Sequence, residues 1–475
     1  MHLSAAERPR WYRFAWFLGK APPLTARQWQ VLGLVSAVSF FEQYDLYLFS
    51  LNLPQIQRSL AIPDADLGFL GSTVRAGALF AFLVTMFADR IGRRQVLLGT
   101  VLAYTLLTAA TAFAPNAETF VVLQFLARVF AVAETLLAAV VIVEEFPDEH
   151  RGWGIGAFAA LQACGAGFAA MLYGFVDVLP YGWRSLYLIG VLPLLLIARM
   201  RMLMPETERF AALSRPAAGT ADVAVAPDAG RAHRAAVDPE SGGVSTLASV
   251  AAWRASARLF VRLFTEARGR FLVVASTTFF FAFGLAGVGF FQIKYLVDAQ
   301  GWSPPQVSTL TVFGGALAII ANPVAGRMSD RLGRRQLASV FLAAAGLLAA
   351  GFYNVAGAWL GVLWVLYLFA VFGAETAITT YASEVFPTSL RATASGARVV
   401  VSTLGGITGL AAVSWLYPWL GDNWRALTWL PMACAAAAVI AWFGFRETAG
   451  QSLETIAPER ASSRGTGGAG DRSVS

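Results

Sequence analysis

A short charged stretch decides how this chain folds: FADRIGRR at residues 87–94, with a second copy, MSDRLGRR, at residues 328–335. Each copy lies where one long apolar run ends and another begins, which leaves room only for a tight turn at a membrane surface. Glycine supplies the backbone freedom for such a turn, and the arginines hold it on one side of the bilayer. Because about half of the chain separates the copies, they predict two related halves.

Further landmarks recur in the same order and with nearly the same separation. They are AET at 133–135 and 374–376, ExFPxxxR at 144–151 and 384–391, WR at 183–184 and 424–425, and ET at 206–207 and 447–448. Several landmarks in one order at one spacing are not expected by chance. The sequence therefore predicts an internal duplication.

The composition places the chain in a membrane. Hydrophobic residues make up 57% and charged residues 14% of the chain, against about 45–50% and about 25% in soluble domains. A soluble protein of this size needs far more polar surface to cover its core. We therefore predict an all-α, polytopic membrane protein. Since no HExxH, Walker or clustered Cys/His pattern is present, we expect no metal, no other cofactor and no ATP-driven pump.

Twelve apolar runs are long enough to cross a bilayer, each with ~20 residues for ~30 Å. Their predicted bounds are 30–52, 67–88, 96–114, 118–143, 153–176, 185–203, 271–296, 305–327, 337–355, 358–383, 393–416 and 425–445. If the N-terminus is inside, the outer loops carry only Arg58, Arg184 and Arg425, as the positive-inside rule requires. We therefore expect both termini in the cytoplasm and the protein in a cell inner or plasma membrane.

These runs divide the chain into five predicted segments. They are a cytoplasmic N-terminal segment (1–29), a six-helix bundle (30–203), a cytoplasmic linker (204–270), a second six-helix bundle (271–446) and a disordered cytoplasmic tail (447–475). Helices on the membrane surface are predicted at 8–20 and, inside the linker, at 247–268. Thr25 and Gln28 form a capping-box pattern ahead of the first run. The net charge of +7 follows from this topology and predicts attraction to anionic headgroups rather than to nucleic acid.

The pattern GxxxDRxGRR between the second and third runs resembles the signature of the major facilitator superfamily, and the resemblance covers about residues 30–455. The second copy has Gly326 at the first position of this pattern, whereas the first copy has Thr85. The ExFPxxxR loops and the PET and RETxG ends of the halves are similar to those of sugar porters and metabolite–proton symporters. The resemblance implies twelve transmembrane helices in two six-helix bundles that bind their substrate near the bilayer midplane.

Two departures narrow this resemblance. Run seven reads GVGFFQ at 287–292 in place of the sugar-porter pattern, and run five reads CGAG at 164–167 in place of the Gly-Pro pair of drug–proton antiporters. Sugar specificity and drug export are therefore disfavoured. The stretch EQYD at 42–45, in contrast, is similar to the acidic motif of aromatic-acid proton symporters.

Charged residues inside the predicted spans are the candidates for transport chemistry, because each costs about 2.5–3.5 kcal/mol at mid-membrane. Glu42 and Asp45 are three residues apart and share a helix face. Asp45 and Arg75 lie at nearly equal depth, so the geometry allows an ion pair, with Asp45 or Glu42 as the proton site. A purely structural pair is the alternative. The resemblance implies that Arg128 is linked to the proton, and Glu134 lies six residues further on.

One mid-depth carboxylate recurs in both halves, as Glu134 and Glu375. In a rocking transporter this depth is where substrate and coupling ions bind, although hydrogen-bonding anchors between helices are the alternative. Lys294, near the outer end of run seven, is expected to snorkel and anchor the helix. Proton coupling is thus predicted for Asp45, Glu42, Arg128 and Glu134, and substrate binding for Arg75, Glu134, Glu375 and Tyr44.

The resemblance further implies that charged residues at the cytoplasmic ends of the runs form ion pairs and helix-end contacts that close this side. The predicted gating residues are Asp89, Arg90, Arg93, Arg94, Glu144, Arg151, Asp330, Arg331, Arg334, Arg335, Glu384 and Arg391. Topology signals and loop folding are the alternative interpretation. Glycines in runs five and eleven, including Gly165, Gly167 and Gly409, predict close contacts between helices.

Together these patterns predict a secondary transporter, not an enzyme, that imports a small polar organic solute with protons by alternating access. An organic acid is the preferred substrate because arginines bind carboxylates. Acidic residues outnumber basic ones at depth, so a sugar or an organic cation stays open. A uniporter or exporter of the same fold and a non-transporting membrane sensor are the alternatives. The expected partners are the solute, protons and a bilayer with anionic headgroups; no nucleic acid is expected, and the protein is expected to be a monomer.

Overall fold

The computed structural model describes residues 9–91, 93–147, 149–202, 258–319, 321–449, 451 and 453–456. Over these residues all regular secondary structure is helical, and twelve helical segments occupy the twelve predicted runs. They are α1 (Ala26–Leu51), α2 (Leu67–Ala76 and Ala81–Ile91), α3 (Arg93–Thr111), α4 (Ala117–Glu145), α5 (Arg151–Tyr173), α6 (Trp183–Met202), α7 (Arg268–Lys294), α8 (Pro304–Ile319 and Ala321–Leu332), α9 (Arg334–Phe352), α10 (Trp359–Val385), α11 (Thr388–Leu420) and α12 (Asn423–Trp429 and Ala433–Gly444).

Eight stretches of the described residues are helical, long and apolar enough to cross a membrane by length and composition. They lie in α2, α4, α5, α7, α9, α10, α11 and α12. The remaining four, α1, α3, α6 and α8, lie at the predicted positions between them and complete the two six-helix bundles. The predicted all-α membrane fold is thus confirmed.

The helix contacts of the first half recur in the second. Helix α1 packs on α5 and α6, and α3 packs on α4 and α6. In the same way α7 packs on α11 and α12, and α9 packs on α10 and α12. The halves meet where α2 contacts α11 and α5 contacts α8. The duplication seen in the sequence therefore corresponds to a repeated packing scheme, with the two halves joined mainly through α2 and α11 and through α5 and α8.

Local signals set where these helices begin and end. The predicted capping box is confirmed: Gln28 N donates to Thr25 Oγ1 at 3.2 Å, and Thr25 N donates to Gln28 Oε1 at 2.9 Å. Asn116 caps α4 by accepting from the backbone N–H of Thr119 at 2.8 Å. Helix α11 ends at Gly421, whose φ of 83° lies in the left-handed region that favours glycine.

Glycine allows the closest helix contact in each half. A Cβ on Gly165 of α5 would clash with the carbonyl oxygen of Phe40 on α1, and one on Gly409 of α11 would clash with that of Phe283 on α7. The close contacts predicted for Gly165 and Gly409 are therefore confirmed. No atom lies within 4 Å of a Cβ built at Gly167, so the close contact predicted there is wrong.

The segments outside the bundles differ in part from the predictions. The surface helix predicted at 8–20 is replaced by two 3₁₀ turns, Arg10–Arg13 and Trp16–Leu18, because Trp11 packs edge-to-face on Trp29 of α1. Within the predicted surface helix at 247–268, residues 258–266 are helical, and those before 258 lie outside the described residues. The predicted linker (204–270) and tail (447–475) also lie largely outside them.

Two ends of the bundle position the functional residues. The end that carries the start of α1 and the end of α12 is called the termini face. The opposite end, which carries the connections from α1 to α2, from α7 to α8 and from α11 to α12, is called the far face.

Candidate functional site

A cluster of buried charges occupies the interior of the first half. Glu42 and Asp45 of α1 are both buried; Thr135 Oγ1 donates to Glu42, and Thr108 Oγ1 donates to Asp45 Oδ2 at 3.3 Å. Together with Arg128 of α4 the two carboxylates line a cavity of about 20 Å³, enough for a water molecule. The predicted shared face of Glu42 and Asp45 therefore lines one cavity, together with apolar side chains such as Phe49 and Val74.

Arg128 is the cation of this cluster, and it is incompletely paired. Its charge acts on both Glu42 and Asp45, but its Nε, like Asp45 Oδ1, is buried without a hydrogen-bond partner. Glu134 of α4 is also buried; it accepts from Ser39 Oγ at 3.3 Å, and its charge acts on Glu42. Two carboxylates therefore lie beside one guanidinium, and the third, Glu134, lies near Glu42. We call Glu42, Asp45, Glu134 and Arg128 the proton cluster.

Arg75 does not pair with Asp45, and this expectation is corrected. The guanidinium of Arg75 lies against Gly406 of α11, where a Cβ would collide with it. The charge that acts on Arg75 is that of Arg128, and Arg75 is not among the charges that act on Asp45. Equal depth on neighbouring helices did not bring the two side chains onto facing sides. Arg75 instead lies at the contact between the halves, where it makes no hydrogen bond or ion pair with any residue that the structure describes.

The second half holds a separate intramembrane pair. Arg398 Nη1 of α11 lies 3.0 Å from Glu375 Oε1 of α10. Glu375 is much more exposed than its counterpart Glu134, so the repeated carboxylates have different surroundings. The sequence reasoning missed Arg398, although it lies inside the predicted run 393–416; an arginine within an apolar run was the signal that could have identified it.

Tyr44 lies in the packing of the first half. It is 1% exposed, its hydroxyl donates to the carbonyl oxygen of Leu186 on α6 at 2.7 Å, and its ring packs against Phe168 of α5. Because its hydroxyl and its ring are both used in this packing, Tyr44 is not positioned to contact a substrate, and we exclude it from the proposed site.

Lys294 is not a snorkelling anchor. Its side chain is 5% exposed and lies 2.6 Å from Asp298 and, across the halves, 3.1 Å from Asp64. It also donates to Gln57 Oε1 of the first half at 2.5 Å, and Asp298 pairs in turn with Arg58. We call these five residues the far-face network.

Further contacts between the halves surround this network. Asn423 Nδ2 donates to the carbonyl oxygen of Asp64 at 3.0 Å, and Phe69 N donates to Ser414 Oγ at 3.1 Å. Below them the rings of Phe49 and Phe290 meet with centroids 5.0 Å apart. The two halves are thus closed against each other at the far face.

On the termini face of the first half, the described contacts tie helices within that half. Arg27 at the start of α1 pairs with Glu145 at the end of α4 at 2.9 Å. The Nε of Arg151 donates to the carbonyl oxygens of Val143 and Phe146 at 2.9 and 3.2 Å, which satisfies the end of α4. Glu144 is half-buried there. The side chains of the predicted gating residues Asp89, Arg90, Arg93 and Arg94 lie outside the described residues.

The termini face of the second half has a buried ion pair at its centre. Arg334 pairs with Glu384 at 3.0 Å, Thr448 Oγ1 donates to Glu384 at 2.6 Å, and the backbone N–H of Arg334 donates to Glu447 at 2.8 Å. These contacts join the starts and ends of α9, α10 and α12. The other predicted gating residues are placed as follows: Arg335 over the ring of Trp442, Arg331 exposed, Arg391 with a buried Nε that lacks a partner, and Asp330 with its side chain outside the described residues.

Comparisons with known proteins agree with the fold described above. The family described as "Sugar (and other) transporter" matches residues 31–459. The chain is 28% identical to the 4-hydroxybenzoate transporter PcaK of Pseudomonas putida, over 88% of this chain and 92% of that protein. It is 26% identical to the cis,cis-muconate transport protein of Acinetobacter baylyi, over 78% and 83%. A crystal structure of a D-xylose-proton symporter superposes with a TM-score of 0.68 at 17% identity, over 89% of this chain and 99% of that chain.

Proposed function

Because the chain belongs to the sugar (and other) transporter family of the major facilitator superfamily, we propose that it imports a small organic acid together with protons by alternating access. Its relatives of similar length carry the names of 4-hydroxybenzoate and cis,cis-muconate transporters, and both compounds are carboxylates. An acidic solute is therefore the substrate class that the comparisons favour for this chain.

The proton cluster is the observation that carries the proposal of proton coupling. Glu42 and Asp45 beside the guanidinium of Arg128 leave a net charge of −1 if both are ionised, and the charge of Glu134 acts on Glu42 as well. Burying unpaired charge is costly, and a group in that position takes up a proton instead. Protons therefore occupy this cluster while it is buried, and opening it to water on one side lets them leave. Asp45 or Glu42 is the exchanging group, with Arg128 and Glu134 fixing the local charge.

Arginine donors near the midplane favour an anionic solute. Arg75 lies at the contact between α2 and α11 without a carboxylate partner among the described residues. Guanidinium groups favour anionic partners, so the unused donors of Arg75 attract an anionic solute to the contact between the halves. Glu134 and Glu375, one in each half, complete the proposed substrate environment.

Closure at the far face and intrahalf pairs at the termini face suit a rocking mechanism. The contacts of the far-face network must break when the halves open there, whereas pairs such as Arg334–Glu384 move with one half. The gating roles of the residues predicted at the termini face remain part of this proposal. We further propose that the chain acts as a monomer in an inner or plasma membrane with both termini in the cytoplasm, where its basic residues meet anionic headgroups.

Proton uptake driven by solute in proteoliposomes tests this function. The solutes are 4-hydroxybenzoate, cis,cis-muconate, D-xylose and an organic cation, each added outside to the parent and to Asp45→Asn. We expect an acid to acidify the lumen in the parent. The variant is expected to acidify the lumen less than the parent does for each molecule of acid taken up, because an amide cannot carry the proton of the cluster.

Asp177→Asn is the matched control, since Asp177 is exposed at the far face, and it should behave as the parent does. Solute entry without a proton signal at any pH would show a uniporter. Uptake of the sugar or the cation alone would contradict the assignment of an acidic substrate.

A further inference from the structure

The ion pair of the second half lies near the middle of the membrane. Glu375 is ten residues from the end of α10 at Val385, and Arg398 is ten residues from the start of α11 at Thr388. At about 1.5 Å per residue, both lie about 15 Å from the termini face, which is half of a hydrocarbon core of about 30 Å. This is the depth at which transporters built from two rocking halves bind their substrates.

The pair is connected by only one of the guanidinium donors. Arg398 Nη1 donates to Glu375 Oε1 at 3.0 Å, and Thr379 Oγ1 donates to the same oxygen at 3.3 Å. The other donors of Arg398 have no partner among the described residues, and none of them is a buried, unpaired atom. They therefore face accessible space.

The side chains of Glu375 and Arg398 are exposed to this space to different extents. The side chain of Glu375 is 46% exposed and that of Arg398 is 12% exposed. A guanidinium has five N–H donors, and two parallel bonds to one carboxylate are its strongest geometry. Glu375 accepts one such bond from Arg398, so the other N–H donors on the guanidinium are open to a second carboxylate from the adjoining accessible space.

We propose that Arg398 binds the carboxylate of the transported acid and that Glu375 is its internal competitor, which takes up a proton as the acid binds. This inference rests on the proposed function, because it requires a carboxylate substrate. In the exchange the contact between ionised Glu375 and Arg398 breaks, a proton adds to a Glu375 oxygen, and the solute carboxylate forms the new ion pair. The site contains one cation and one anion both before and after this step.

Charge balance is the reason why the proton and the acid bind together. Two ionised carboxylates on one guanidinium give a net charge of −1 at mid-membrane, which is disfavoured, and one proton restores neutrality. Glu375 has few other charged neighbours that could compensate. Helix α10 packs mainly against α8 and α9 and more lightly against α11, α7 and the short helix Leu453–Ile456. Apart from Arg398, the charged residues of these helices lie near helix ends, at Arg268, Arg270, Lys294, Arg327, Asp330, Arg331, Arg334, Arg335, Arg391 and Glu454.

Equilibrium binding of radiolabelled 4-hydroxybenzoate to the purified full-length protein tests the inference. Measurements at about pH 5.5 and about pH 7.5 lie above the usual range of a free carboxylic acid, so the ligand is ionised throughout. Glu375→Gln imitates the protonated side chain and should bind the acid more tightly than the parent at the higher pH, with a smaller dependence on pH. Arg398→Gln should bind about 10- to 100-fold more weakly at both pH values, as expected for the loss of charge-assisted hydrogen bonds.

Three controls separate this inference from general damage. Glu266→Gln removes a carboxylate from an exposed ion pair at the termini face and should bind as the parent does. The neutral analogue 4-hydroxybenzamide should bind equally to the parent and to Arg398→Gln. Arg398→Lys keeps the charge without the planar donors, so its affinity should fall between those of the parent and Arg398→Gln.

Either of two results overturns the assignment: unchanged or weaker binding in Glu375→Gln at the higher pH, or parent-like affinity in Arg398→Gln. If Arg398→Gln does not fold, parent-like affinity in Arg398→Lys overturns the assignment instead. A parent protein that binds no acid refutes the proposed function itself, and this inference with it. If the parent binds the acid and neither substitution changes the affinity, this inference is refuted and the proposed function is not.

Discussion

Replacing Lys294 with methionine should weaken closure of the far face. Methionine keeps most of the side-chain volume but removes the ammonium group, which is buried and contacts Gln57 and Asp64 of the opposite half. Both contacts exist only while the halves are closed at this face. Their loss therefore changes the equilibrium between closed and open states, and not merely the stability of one half.

The structure sets the size of this change. A hydrogen bond to a charged group contributes about 1.5–3 kcal/mol, but the contact with Asp64 must be discounted because that side chain is 47% exposed. The two contacts together then contribute about 2–3 kcal/mol. At about 1.4 kcal/mol per factor of ten, the ratio of open to closed states rises by about 30- to 150-fold. Arg58 still pairs with Asp298 across the halves, so closure is weakened and not abolished.

Spin-label distances across the far face measure this ratio. The labels are placed at Glu118 and Ala358, which are exposed at this face in different halves, after Cys164 and Cys434 have been replaced. We expect a new population at longer distance in Lys294→Met.

Two substitutions serve as controls for this experiment. Lys294→Arg, which keeps the charge, should show the distance distribution of the parent. Arg425→Gln should do the same, because it removes a cation whose ion-pair partner, Asp422, lies in the same half. A distribution in Lys294→Met equal to that of the parent would refute the conclusion that this network holds the halves together.

Two further substitutions test the packing and the termini face. Gly165→Ala should lower thermal stability and yield, because its Cβ collides with backbone and such overpacking costs about 1–3 kcal/mol or more. Gly167→Ala, where the space is open, should have the melting temperature of the parent. Equal melting temperatures for the two variants would contradict the helix contact at Gly165. Glu384→Gln should destabilise by about 1.5–3 kcal/mol, since it removes a carboxylate that accepts from the largely buried guanidinium of Arg334. Additive losses in the double variant with Arg334→Gln, measured by thermal unfolding in detergent, would show that the two residues do not act as a pair.

The fold could be predicted because its determinants are local or periodic. Apolar length, turn composition and the side of the arginines are properties of single segments, and the duplicated landmarks doubled each signal. The capping box at Thr25 and Gln28 was predictable for the same reason, since both partners lie within one helical turn. The packing at Gly167 was not predictable, because whether a glycine faces a neighbouring helix depends on the rotation of α5.

The candidate site shows the same limit at the level of single charges. Counting residues gives the depth of a side chain but not its direction around the helix axis, and Arg75 faces Gly406 although it lies at the depth of Asp45. The 3₁₀ turn Gly77–Phe80, which interrupts α2 just after Arg75, has no marked sequence signal. Lys294 was assigned to the membrane surface for a related reason: its partners Asp64 and Gln57 come from the other half, which the local sequence does not reveal.

The two intramembrane sites differ in charge in a way that suits different tasks. The proton cluster has more carboxylates than arginines and is closed in, so its surplus charge is neutralised by protons wherever water is absent. The pair Glu375–Arg398 is neutral, and its carboxylate is exposed. A solute anion can therefore replace Glu375 on Arg398 without a change in net charge only if a proton neutralises the displaced carboxylate. A monocarboxylate that enters with the proton of Glu375 alone moves no net charge, whereas a further proton from the cluster moves one positive charge, which a membrane potential of 100 mV drives by about 2.3 kcal/mol. In the proposed mechanism the first half thus determines whether transport responds to voltage, and the second determines which solute binds.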